Sequence, residues 1–212
     1  MMNSYTFPFN SCEIPQTDGI AQPYSTSVNL LLCLIILYFL QKSTNVYSRV
    51  FLTSILIFNA FHTFSHTIHI NLYKNLQFLL THFSAIASTI AFLFLLHFIT
   101  KRALQTWQIC TLVLFYLIDL GLILLNVSHI YNITVFLIIL FSILLFYYPS
   151  MPNATQKNVW YIIGFSCIVL TFQIFEILNC QFILREFQGF PFHTLTEISA
   201  TIPIFLLCYS FH

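Results

Sequence analysis

Apolar residues run through this chain in long stretches broken by brief polar joints. A helix needs about 20 apolar residues to cross the hydrocarbon of a bilayer. Seven stretches reach or approach that length: 27–41, 48–70, 76–100, 103–126, 130–148, 157–181 and 190–211. The joints include Gln41-Lys42-Ser43-Thr44-Asn45, Asn71-Leu72-Tyr73-Lys74-Asn75, Lys101-Arg102 and Pro149-Ser150-Met151-Pro152-Asn153. Joints this short predict that successive helices run antiparallel. The expected fold is all-α: a polytopic, seven-transmembrane-helix bundle over 27–212, preceded by a polar segment, 1–26. That segment holds no Lys, no Arg and no apolar run, and it includes Glu13 and Asp18, so it does not read as a signal peptide.

Composition sharpens this picture. Hydrophobic residues make up 58% of the 212 positions and charged residues 6%, against about 25% charged in soluble domains. The mean hydropathy is +0.86. A net charge of +1 leaves no basic surface for nucleic acid. No protein partner is legible; the expected partner is a membrane lipid. In the seven-helix reading, Lys42, Arg49, Lys101, Arg102 and Lys157 fall on one side and Lys74 and Arg185 on the other. The positive-inside rule puts the larger set in the cytosol. The N-terminus then faces the lumen or exterior and the C-terminus the cytosol, in an endomembrane (ER/Golgi) or the plasma membrane.

The candidate chemistry lies in the polar residues within the spans. Ionisable groups there are costly and point to function. On the second span, His62, His66 and His69 are spaced i, i+4, i+7 and share a face with Asn59. The third span meets His82 early, and the last carries His193 and Glu197 one turn apart. Asp119 and Glu176 fall in the same outer half, whereas His97 and His212 belong to the inner side and His129 to an outer loop. Imidazole and carboxylate are good zinc ligands, and an i, i+4 pair can hold one ion. The candidate metal ligands are therefore His62, His66, His193 and Glu197. A proton relay or a structural polar network are the other readings of the same residues. For Asp119, a helix-pairing hydrogen bond competes with a catalytic role.

The six cysteines form no CxxC pair, which argues against a zinc ribbon or a thioredoxin motif. Cys12 and Cys180 fall on the outer side, where an oxidising compartment permits a disulfide. Cys33, Cys110, Cys167 and Cys208 lie within spans as small packing residues. The Asn126 and Asn132 sequons lie at the outer membrane edge, and the Asn153 sequon should be cytosolic.

The run Cys12-Glu13, then Gly19-Ile20-Ala21-Gln22-Pro23, then Thr26-Ser27-Val28-Asn29-Leu30, resembles the opening of the alkaline ceramidase family. The Phe61-His62 or Ser65-His66 element resembles that family's Ser/His metal-site segment. His193 and Glu197 stand where the family has His-x-x-x-His on its last helix. The wider superfamily, which includes the progestin and adipoQ receptors, shares a seven-helix zinc core. The resemblance implies a zinc-dependent hydrolase cleaving an amide in a ceramide-like lipid, with Zn2+ as cofactor. It also implies a Ca2+ site near the N-terminal segment, with Glu13 as the matching residue, and a Cys12–Cys180 disulfide. The chain departs from the family pattern at Glu197, at Gln22 in place of a calcium-binding carboxylate, and in the extra His66 and His69. His82 is the nearest candidate for the family's acidic residue on helix 3.

On this reading His193, Glu197 and one of His62 or His66 hold the zinc. His82 or Glu176 serves as proton shuttle, since imidazole titrates near physiological pH. Ser65 either donates to the developing oxyanion or bonds a backbone carbonyl one turn back. Three alternatives remain: a non-enzymatic receptor or sensor with a structural zinc, a proton or metal transporter using the His/Glu cluster, and an inactive homologue. A closed four-ligand shell would favour the receptor. The inner half of the spans, nearly free of ionisable groups, argues against a through-path.

Overall fold

A computed structural model describes residues 16–67, 74–103, 105–125, 129–187 and 190–212. Among these the chain is helical, with no strand. The helices are α1 (Pro23–Lys42), α2 (Val46–Thr67), α3 (Lys74–Thr100), α4 (Thr106–Leu124), α5 (His129–Tyr147), α6 (Asn153–Leu178), α7 (Cys180–Glu186) and α8 (Phe192–Phe211). A 3₁₀ turn, Tyr148–Ser150, follows α5. Four segments are long and apolar enough to cross a membrane: α1, Leu80–Thr100 of α3, α6 and α8. They mark the chain as a membrane protein. In α4 and α5 the apolar segments are shorter, Thr106–Leu122 and Thr134–Ser150. α2 is long enough, but Asn59, His62, His66 and several hydroxyls make it less apolar.

The predicted count of seven helices becomes eight among the described residues. The stretch expected to run to 181 stops at Leu178, because Asn179 (φ −116°, ψ 22°) leaves the helical region. The short α7 starts directly after it. α1 begins four residues earlier than expected, so residues assigned to the N-terminal segment belong to the helix. Pro23 explains the start: its fixed φ suits the first helical position, where its missing N–H has no partner to lose.

α1 packs between α2 and α8, α2 against α3, and α6 against α8, while α4 packs mainly on α5. Ring contacts fix the directions. Phe39 near the end of α1 meets Phe205, Tyr209 and His212 at the end of α8. Ser25 and Thr194, at the starts of these helices, have hydroxyls 3.3 Å apart. α1 and α8 therefore run parallel, with α2 returning beside α1. Leu32, Ile36, Leu52, Leu95, Leu96 and Ile162 form the buried centre. Phe51 stacks on Phe92 across α2 and α3.

Hydrocarbon offers no hydrogen-bond partners, so hydroxyls on the spans must find them in the protein. Thr63, Ser88 and Thr171 each donate to the carbonyl four residues back, at 2.7–2.8 Å. The helix end carrying the predicted cytosolic charges gathers cation–ring contacts. Arg102 donates to the Phe146 carbonyl and lies 3.8 Å from the Phe146 ring centroid. Lys101 sits 4.2 Å from the Phe98 centroid. Its left-handed φ of +56° lets its N–H close the last turn of α3 on the His97 carbonyl.

Candidate metal centre

Helical spacing puts His62 and His66 on one face of α2, and His193 and Glu197 on one face of α8. Because α2 returns beside α1 while α8 runs with it, the last turns of α2 meet the first turns of α8. Glu197 Oε1 lies 3.1 Å from His62 Nε2, 3.3 Å from His66 Nε2 and 3.0 Å from His193 Nε2. The His62 and His66 Nε2 atoms are 3.3 Å apart. The donor atoms of His62, His66 and Glu197 all lie within 4.8 Å of one another. Tetrahedral ligands about 2.05 Å from one zinc ion stand about 3.3 Å from each other. His62, His66 and Glu197 Oε1 have that spacing, and His193 has it to Glu197.

The outward atoms of these groups are held by neighbours. His66 Nδ1 donates to Gln22 Oε1 at 2.5 Å. Gln22 is itself placed by its backbone N–H, which donates to the His66 carbonyl at 3.0 Å. His193 Nδ1 donates to the Glu176 carboxylate at 3.0 and 3.2 Å. Asn29 Nδ2 donates to Glu197 Oε2 at 3.0 Å and to the Ser25 carbonyl at 2.9 Å. An acceptor at Nδ1 fixes the proton there and leaves the Nε2 lone pair as the ligand.

This tautomer carries a consequence. If both imidazoles are neutral, His66 and His193 direct Nε2 lone pairs toward a carboxylate oxygen at 3.0–3.3 Å, which is repulsive. The site is also buried: His66 and His193 are 1% exposed and Glu176 0%. His193 Nε2 is buried with no properly aligned hydrogen bond among the described residues. A cation between these atoms relieves the repulsion, and three imidazoles with a carboxylate are a donor set that suits zinc. The arrangement can also be discharged by protonating imidazoles.

The remaining candidates take other places. Ser65 donates to the His62 carbonyl at 2.5 Å, the backbone option of the two expected for it. Glu176, one of the two residues expected as a proton shuttle, accepts from His193 Nδ1. Asn59 donates to the Ile55 carbonyl at 2.9 Å. His82 is set against Asp119 of α4 at 4.0 Å and the Phe136 ring of α5, rather than within the His62, His66 and Glu197 group. His97 Nδ1 donates to the Arg102 carbonyl and His212 Nδ1 to the Tyr209 carbonyl, both at the opposite helix ends. Glu13, Cys12 and His69 lie outside the described residues. Cys180 takes part in a disulfide, while Cys33, Cys110, Cys167 and Cys208 are free thiols.

A surface cavity of about 590 Å³ runs along Ile177–Arg185, away from the imidazoles. The chemistry of the donor set, not cavity size, identifies the centre. No family model matches the chain, and neither a curated protein nor a solved structure matches it.

Proposed function

We propose that this chain is a multi-pass membrane protein that holds one zinc ion between α2 and α8 and hydrolyses an amide bond in a ceramide-like lipid. The observation that carries the metal is the convergence of three imidazole Nε2 atoms on Glu197 Oε1, with the second nitrogen of two of them already held. The hydrolase reading adds the resemblance of Phe61-His62 or Ser65-His66, and of His193, to the alkaline ceramidase pattern, from which Glu197 departs. In this proposal the seven long helices span the bilayer. The N-terminus faces the lumen of an endomembrane or the exterior, and a Cys12–Cys180 bond ties the N-terminal segment to the start of α7. The Ca2+ site at Glu13 rests on the resemblance alone.

Bound zinc would polarise a carbonyl and make water acidic enough to supply hydroxide near neutral pH. The protein's own part is positioning. Gln22 and Glu176 hold His66 and His193 with Nε2 inward. Asn29 holds Glu197 through Oε2, leaving Oε1 turned to the centre. With His62, His66 and His193 as the three ligands of a catalytic site, Glu197 Oε1 is placed to accept a proton from water and pass it to the leaving amine. The apolar bundle excludes bulk water, so a substrate must arrive from the bilayer.

A second reading rests on a specific observation: the cluster offers four donors, the number that closes a structural zinc site. A receptor or sensor on this frame would hold zinc without turnover. Glu197→Gln separates the two. Zinc content and hydrolysis of a fluorescent long-chain N-acyl sphingoid amide are measured on the detergent-purified protein. The hydrolase reading expects the variant to keep zinc and lose turnover. A parent without turnover and a variant without zinc would establish the structural site instead.

A further inference from the structure

Two polar groups that the imidazole centre does not use stand at one level of the seam between α6 and α8. These helices pack closely and run antiparallel. Glu176, near the end of α6, meets His193, near the start of α8. At the other end Asn158 Nδ2 of α6 donates to Ser210 Oγ of α8 at 2.8 Å. The two contacts are spaced almost equally along both helices, so one register holds along the seam. One turn inward from Glu176 lies Gln173, and one turn inward from His193 lies Thr196. Positions i and i+3 share a helix face. Gln173 and Thr196 therefore enter the seam together, just below the Glu176–His193 pair, and are only 4% and 3% exposed.

These two groups do not satisfy each other. Gln173 Nε2 and Thr196 Oγ1 are enclosed, and neither has a hydrogen-bond partner among the described residues. Thr196 forgoes the usual local solution: Thr63, Ser88 and Thr171 each donate to the carbonyl four residues back. A buried amide or hydroxyl left unbonded costs about 1–3 kcal/mol, and hydrocarbon offers no remedy. One molecule that bonds both would remove the cost at both helices.

The chemistry of the pair selects that molecule. Both side chains are neutral, and the amide nitrogen only donates, so the pair is no cation site. A hydrocarbon chain would satisfy neither group. Burial on both sides of the seam leaves no place for a bulky ligand. Water is small, accepts from the amide and donates to the hydroxyl oxygen, and internal waters sit where buried polar groups are otherwise unsatisfied.

We propose that the α6–α8 seam holds one internal water molecule, bonded to Gln173 Nε2 and Thr196 Oγ1, one helical turn inward of the Glu176–His193 pair. It ties α6 to α8 beside the contact at which Glu176 accepts from His193. The site shares no side chain with the imidazole group and stands whether or not that group holds a metal.

The test is a crystal structure of the full-length protein grown from a lipidic mesophase, at a resolution that shows ordered water. A density peak about 2.8–3.2 Å from both atoms is expected. A direct hydrogen bond between the two side chains, or no peak between them, would overturn the site. A double-mutant cycle in detergent reads the same bridge in solution. Gln173→Met and Thr196→Val keep the shape of each side chain and remove one partner of the water. Each should lower the ratio of folded to unfolded protein about threefold. The double variant should lose about as much as either alone, because the water is lost with its first partner. Losses that multiply would show independent groups, and a gain in stability from either single variant would show an unbonded one; both results contradict the bridge.

Discussion

Two buried polar groups among the described residues are built differently. Around His62, His66, His193 and Glu197, polar atoms stand 3.0–3.3 Å apart and Gln22, Asn29 and Glu176 hold the outward sides. His82 and Asp119 stand 4.0 Å apart beside an open seam. The difference follows from packing. α1, α2, α6 and α8 close on one another, so side chains from four helices reach the first group. α4 rests on α5, and the second group faces a cleft. A set of ligands must be rigid to select a small ion, since its preference depends on tenths of an ångström. The first group has the close spacing that an ion would need, and the His82–Asp119 pair does not.

Substitutions should separate the two, from the largest effect to the smallest. His66→Ala removes a ligand nitrogen from the centre, and zinc content should fall from about one per chain to none. Next comes Glu176→Ala, which frees His193 Nδ1. Zinc affinity by chelator competition should weaken about 10–100-fold, and Glu176→Gln, which keeps an acceptor, should lose less. Gln22→Ala acts on His66 in the same way through a neutral acceptor, and a loss of roughly tenfold is expected. Ser65→Ala deletes only a side-chain bond to a backbone carbonyl, so stability in detergent should change by about 0.6 kcal/mol. At the bottom, Asp119→Asn should leave zinc affinity unchanged. A loss there comparable to that of Gln22→Ala would show that the two groups are one coupled site.

Much of the scaffold was legible because burial in lipid leaves a strong one-dimensional signal. The long apolar runs at α1, α3, α6 and α8 became helices with ends shifted by a few residues. α7 was not legible: Cys180–Glu186 continues an apolar run, and only the backbone turn at Asn179 separates it from α6. The i, i+4 pairs His62–His66 and His193–Glu197 were legible from helical period alone. Their partners were not, because periodicity along one helix carries no information about what another helix presents. Gln22 reaches His66 across 44 positions and Asn29 reaches Glu197 across 168. Glu176 was noticed as a buried acid, but its role depends on how α6 packs against α8. His82 was noticed as a span histidine, but its neighbours Asp119 and Phe136 could not be named, since depth does not specify which neighbour a helix face meets.

The central claim is that three imidazoles and Glu197 enclose a metal ion. Elemental mass spectrometry of the detergent-purified protein, beside its His193→Ala variant, tests it most directly. The account predicts about one zinc per chain in the parent and none in the variant. No metal in either protein, or equal zinc in both, would contradict it and leave a protonated His/Glu network in its place.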